Sequence, residues 1–491
     1  MNETDIASYR GLNDLPVLAG LCSMQDAAHS AWSVEESVEW LKYLHYVGRS
    51  ALESVVARIP SQPIYELKML YSHHAYLLGE HVDALRKRVA EMRQPPLGLE
   101  QLPHPSLRLL RDEIDACPAD TEFVLAIYEV IIPSLLDCCS EFVQLAHPLA
   151  DAPSRRVVKW MMHELEEVAE VGEEIISSIR SKDMELNEAY DLQNWLDGLV
   201  RCLQIAEASN ATRHVDASEA ERPELKLPPA RFSSESPAEF DSCPQRDNRF
   251  SDPYNAGVNP EAFLYDERFS ARDKSLMMYY KRLREVDVPE MMASILVELR
   301  DEEPWEFYFE MLRQLWDEAR HAMMGEVGFV SLGIDWTQIP INFTWSLNLN
   351  SQLSARERHG VLFFIEQGLM PKTGKRFEWE IGRESGDGLS ALFQDFDWAD
   401  EVLHAQIGRR WYVPKFESLK AALDYGDRCW SQVLSHFDAY ATQGLTEHRN
   451  WWPEVYCRAC ECWGVEPDAV ALAFDVSYQE KRADLRDIAQ D

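Results

Sequence analysis

Positive charge is scarce in this chain. Across 491 residues, 48 Lys+Arg face 84 Asp+Glu, for a formal net charge of -36. So acidic a surface cannot neutralise a phosphate backbone, and an anionic membrane would repel it, so neither nucleic acid nor membrane is expected as a partner. Long apolar runs are also missing. None reaches about 18 residues, and the best candidate, Phe123 to Cys139, is interrupted by Glu129 and Pro133. The opening Met-Asn-Glu-Thr-Asp has neither the basic nor the apolar region of a signal peptide. No phosphate-binding glycine loop, nucleophile elbow or dinucleotide fingerprint occurs. The ten cysteines are scattered, which fits reduced thiols rather than a disulfide framework. A soluble cytoplasmic protein is expected, long enough for two or three domains.

Helical periodicity fills most of the sequence. Ser33 to Ala57, Glu66 to Met92, Glu122 to Leu149 and Ser154 to Ser181 carry apolar residues at three- and four-residue intervals. Strand-like alternation is hard to find, so the fold class expected is all-α. The texture breaks between about 209 and 260, where four prolines fall within Arg222 to Pro237. It resumes from Ala271, apart from loops near 331–351 and 385–388. This divides the chain into a helical bundle over 1–208, an irregular linker over 209–260, a second bundle over 261–414 and a helical extension over 415–491.

Only two of the fourteen histidines have a glutamate three residues before them. They lie in Glu318-Ala-Arg-His321 and Glu401-Val-Leu-His404, and each glutamate follows an aspartate, Asp317 or Asp400. Asp-Glu-x-x-His should arise by chance about 0.1 times in this length. The spacing puts carboxylate and imidazole on one helix face, where both can reach the same cation. Apolar and aromatic neighbours, Leu312, Leu315 and Trp316 before one motif and Phe393, Phe396 and Trp398 before the other, give both helices a buried face.

A doubled Glu-x-x-His resembles the ferritin-like di-iron or di-manganese carboxylate superfamily, in which two further helices each supply a lone glutamate. The first partner is sought across the turn near Asp301 to Pro304. Glu290 lies at a level within about 4 Å of Glu318, with Glu285 in reserve because Pro289 is placed to start or kink a helix there. The second partner is Glu366, a charge inside the apolar run Gly360 to Leu369 that would be costly if unpaired. Glu357 replaces it if the helix ends near 370. The resemblance thus implies metal ligands Glu290, Glu318, His321, Glu366, Glu401 and His404. It also implies that Asp317 holds His404 and Asp400 holds His321, fixing the imidazoles.

Subtracting 237 from Glu290, Glu366 and Glu401 gives Glu53, Glu129 and Glu164, and Glu80 corresponds to Glu318 with one residue of slip. Asp83 and Glu167 stand at the histidine positions. The N-terminal bundle therefore reads as a degenerate repeat, either without metal or with oxygen ligands alone. Cys457, Cys460 and Cys462 lack a second Cys/His pair at zinc-finger spacing and read as packing. His359, two turns before Glu366, reads as a core histidine, with an added ligand or a substrate neighbour as the other reading. Tryptophans such as Trp451-Trp452 fill cores or a subunit contact, and a homodimer is one arrangement allowed.

By the resemblance, the cofactor would be two iron ions, or a manganese–iron pair, with O₂ as co-substrate. The implied function is an O₂-dependent non-haem di-iron oxidase or oxygenase acting on a small organic substrate and supplied by an electron donor. Glu366 and Glu401 would be the catalytic carboxylates that shift with metal oxidation state. The alternative is a non-catalytic metal-binding or iron-handling protein of the same fold.

Overall fold

In the computed structural model, the residues described are 6, 8–92, 98–117, 120–180, 186–212, 226–233, 238–433 and 437–477. Among them every regular element is a helix, and the single β-type pairing is an isolated bridge between Val258 and Ser477. The chain is all-α. Contacts divide it into two units, one of residues 1–55 and 77–240, the other of residues 56–76 and 241–491.

Helices α1 (Val34–Arg58), α2 (Tyr65–Glu91), α3 (Pro105–Ala116), α4 (Ile132–Leu145), α5 (Ala152–Arg180) and α6 (Leu186–Thr212) precede the irregular stretch. The start of α1 is fixed by Ser33 and Glu36, whose side chains each accept from the other's backbone amide. Ahead of α4 the chain makes a π-helical turn over Ala126–Ile131, where the Ile132 amide donates to Ile127. Pro133 has no amide to offer Glu129, and the wider turn accommodates that gap. The surrounding helical run Thr121–Leu145 is long and apolar enough to cross a bilayer, but 67% of its most apolar window is buried inside the chain.

Within the stretch 209–260, both side-chain and backbone hydrogen bonds hold the described residues. The amides of Arg231, Phe232 and Ser233 all donate to the Glu113 carboxylate in the first unit. In the second unit, Gln245 and Asp247 donate to Pro60 and Pro63, and Lys68 donates to Gln245. These bonds explain why Val56–Tyr76, which closes α1 and opens α2, belongs to the second unit.

That unit also contains α7 (Ala271–Leu283), α8 (Asp287–Leu299), α9 (Trp305–Ser331), α10 (Thr344–Gln352), α11 (Ala355–Gly368), α12 (Lys375–Glu384), α13 (Gly388–Trp411), α14 (Leu419–Val433) and α15 (Trp452–Trp463). Helix α8 packs on α9, α9 on α13, α13 on α11 and α11 on α8, which closes a ring. Two glycines permit close approaches between helices. A Cβ at Gly325 of α9 would overlap the Leu283 backbone at the end of α7, and one at Gly408 of α13 would strike the Phe363 ring of α11.

Part of the expected loop at 331–351 is helix. Helix α10 escapes the periodicity test because Ser346 and Asn350 on its buried face are polar. They bond to Glu290 and Ser294. Trp452 is fully buried, its indole N–H donating to Ala471, and α15 ends at Gly464 with φ 66°.

Candidate metal centre

Both Glu-x-x-His motifs face the interior. Glu318 and His321 lie mid-way along α9, Glu401 and His404 in the second half of α13, and all four are buried. The imidazole centroids are 6.0 Å apart. Nε2 of His321 lies 3.2 Å from Asp400, and Nε2 of His404 lies 3.3 Å from Asp317, so each aspartate stands against the histidine of the opposite motif. Arg320, inside the first motif, ties the two aspartates together by pairing with both.

The other nitrogen of each ring points at carboxylates. Nδ1 of His321 is 3.5 Å from Glu285, 3.7 Å from Glu318 and 3.5 Å from Asp397. Nδ1 of His404 is 3.2 Å from Glu318, 3.7 Å from Glu401 and 3.9 Å from Glu366. Two four-residue groups result, Glu285–His321–Asp397–Glu401 and Glu318–Glu366–Glu401–His404, with their nearest donor atoms within 4.8 Å of one another. Each could hold a metal ion. Glu401 belongs to both, and Glu318 lies near both imidazoles.

Five buried atoms of the imidazoles and carboxylates in the two groups make no well-formed hydrogen bond: Nδ1 of His321 and of His404, and Oε2 of Glu285, Glu366 and Glu401. Orphaned polar atoms are rare in folded interiors, and here they converge. Charge crowding also shapes the protonation. Burial, with Glu401 and Glu318 close by, holds the Glu366 carboxyl well above the ordinary carboxylate range. Burial acts the same way on Glu401, but the Lys375 ammonium outweighs it and holds that carboxylate well below. For His321 the penalty of burial is outweighed by Asp400, Glu285 and Glu318, which push it up to about 10.

Glu290 does not join either group, and the expectation for it is corrected. Its carboxylate pairs with Lys68 and Arg246 and accepts from Ser346 at 2.6 Å. Glu285 stands in the centre instead, on the 3-10 turn Arg284–Val286 between α7 and α8. Five residues of helix rotate a side chain by roughly 140°, so Glu290 shares an axial level with the motif but points to another face. Pro289 falls in the first turn of α8, where an amide has no partner to lose, and so leaves Glu285 in place.

Helix α11 ends at Gly368, yet Glu366 reaches His404, while Glu357 is used at the other end of the helix in a capping box with Ser354. His359 lies apart from both groups, with its ring against Phe307 and Tyr412. In the first unit, Glu53 pairs with Arg49 and Arg111, Asp83 with Lys87, Glu129 with Arg180 and Glu164 with His81. Each of these acids has a basic partner.

No family model, curated protein or solved structure matches this chain. The site must be read from its own chemistry.

Several residues at the centre escape a motif search. Asp397 precedes Glu401 by one helical turn, a spacing that could have flagged it. Lys375 and Arg282 gave no such signal, because they come from α12 and α7. Gln314, one turn before Glu318, donates to Glu366 at 3.2 Å. Beside the carboxylates lies a cavity of about 150 Å³, lined by Glu285, Glu318, Glu366 and Glu401 and also by the charged Glu261, Lys281, Arg284 and Asp287. Met291, Trp345, Leu349, Leu362, Ile365 and Leu369 supply apolar walls.

Proposed function

We propose that the second unit is a ferritin-like bundle built on α8, α9, α11 and α13, holding two first-row transition-metal ions in an O₂-dependent oxidoreductase. The observation that carries this reading is the crossed pairing of two imidazoles with two aspartates, with both Nδ1 atoms turned toward shared carboxylates. Nitrogen and oxygen donors in this mixture suit iron, or manganese with iron. The residues fit such a pair, because five inward-facing polar atoms lack hydrogen bonds that metal coordination would replace.

When bound, such a pair supplies reductive activation of O₂ beside the cavity. The rest falls to the chain. His321, Glu285 and Asp397 would serve one position, His404, Glu318 and Glu366 the other, with Glu401 common to both. Asp317 and Asp400 orient the rings and raise their basicity. By the resemblance, Glu366 and Glu401 would be the carboxylates that shift with metal oxidation state, and both line the cavity.

The apolar walls exclude water and orient a small organic substrate. A cavity near this volume holds about one benzene-sized ring or a short aliphatic chain. Oxygenation would form a C–O or N–O bond from one oxygen atom of O₂. The other atom leaves as water, using two protons and two electrons from an external donor. We further infer that the first unit is a degenerate copy of the same bundle, and that the protein works in the cytoplasm without nucleic acid or membrane.

One observation favours the second reading, a metal-holding protein without turnover. Lys375 and Arg282 already balance charge at Asp397. One experiment separates the two. Protein loaded anaerobically with ferrous iron and exposed to O₂ should consume O₂ in proportion to added substrate and reductant. Oxidation of many ferrous ions per chain, indifferent to organic additives, would support iron handling instead.

A further inference from the structure

The two ligand groups share Glu401 but differ in the charge that already faces them. On the His321 side, Lys375 Nζ lies 2.8 and 2.9 Å from the Asp397 oxygens and 2.9 Å from Glu401. Arg282 pairs with the same Asp397 and lies 3.0 Å from Glu285. Both cations are fully buried. On the His404 side, among the described residues, no lysine or arginine pairs with Glu318 or Glu366. Glu366 accepts from the Gln314 amide at 3.2 Å.

The origin of Lys375 sharpens this difference. It is the first residue of α12, directly after Gly374, so it enters from the connection that follows α11 rather than from the helices carrying the motifs. A long flexible side chain at a helix start can withdraw without disturbing α9 or α13. Arg282 is anchored within α7 by further pairing with Glu285 and Glu378.

We infer that the Lys375 ammonium holds the place of a cation on the His321 side, so that the two metal positions fill in a fixed order. This inference rests on the dinuclear reading above. The first divalent ion enters among Glu318, Glu366, Glu401 and His404, where Lys375 meets Glu401 alone and Glu318 and Glu366 pair with no lysine or arginine among the described residues. The second enters among Glu285, His321, Asp397 and Glu401 only as Lys375 withdraws, because two cations cannot share the same carboxylate oxygens at contact distance. The His321 side is therefore the weaker and more readily exchanged position, which suits a centre that can hold two different metals.

The test is an anaerobic titration of the metal-stripped full chain with Mn(II) alone, following free Mn(II) by electron paramagnetic resonance. The wild type should show two classes of site, the second weaker by about tenfold or more. Lys375→Met should strengthen the second class by about tenfold and change the first, which meets Lys375 only through Glu401, by much less. Lys375→Arg, which keeps the charge, should retain the weak class. Two equally tight sites in the wild type would overturn the inference while leaving the dinuclear reading intact. So would an unaltered second class in a Lys375→Met protein of normal helicity. If that variant loses helicity, the wild-type titration and Lys375→Arg still decide the matter. Absence of Mn(II) binding in wild type and variants alike would remove the dinuclear reading itself.

Discussion

Nε2 of His404 lies 3.3 Å from the carboxylate of Asp317, which belongs to the other Glu-x-x-His segment. With the matching contact between His321 and Asp400, the two helices secure each other's imidazoles. Asp317→Asn or Asp400→Asn should therefore weaken metal binding by about 10- to 100-fold while leaving helicity unchanged. Equilibrium dialysis against a graded chelator reads the affinity, and circular dichroism checks the fold. Unchanged affinity in both variants would show that the aspartates serve Arg313 and Arg320 rather than the imidazoles.

Removal of either imidazole tests the number of ions. His321→Ala and His404→Ala should each lower the bound metal from about two ions per chain toward one, and the double variant should hold almost none. Elemental analysis of protein loaded with iron and then desalted gives the count.

Glu285 and Glu290 allow a sharper comparison, because they lie five residues apart and have different tasks. Glu285→Gln should lower metal content with little change in denaturant midpoint. Glu290→Ala should leave the ligand set intact but strand Lys68 and Arg246, both buried, without their shared carboxylate. Breaking a buried pair in this way costs about 3–5 kcal/mol, so its urea unfolding midpoint should fall markedly. The reverse pattern would restore Glu290 as the ligand.

Acid sensitivity should come in part from His359. Burial, with Lys415 and Arg356 nearby, lowers its pKa from an ordinary 6.5 to about 3. The unfolded chain then binds a proton that the folded chain refuses between those values. Stability from this group is complete above about pH 6.5 and declines as the pH falls toward 3, by up to about 1.4 kcal/mol per pH unit. His359→Phe, if it packs in the same space against Phe307 and Tyr412, should flatten the pH dependence of the urea midpoint over that window.

Much of this was legible in the sequence, for reasons that also explain what was not. Helices such as Val34–Arg58 and Ala152–Arg180 emerge within a residue or two of their apolar periodicity, because their buried faces are apolar. Helix α10 was hidden because its buried face presents Ser346 and Asn350. The Asp-Glu-x-x-His segments stood out because carboxylate and imidazole at that spacing are rare together. Distance from a turn gives axial level but not the face of a helix, which is why Glu290 looked like the partner, whereas it pairs with Lys68 and Arg246 and Glu285 lies beside His321. Lys375 could not have been read from its neighbours at all, since its role depends on where the connection after α11 delivers it.

The borrowed segment Val56–Tyr76 has a bearing on how the protein is made. It carries Lys68, whose partners Glu290 and the Gln245 carbonyl are synthesised much later. This early segment must wait for the C-terminal part of the chain to emerge from the ribosome before its ammonium meets a counter-charge. A fragment beginning after the irregular stretch would lack that lysine altogether. Simple truncation before the second run of helices would thus sever a buried charge network.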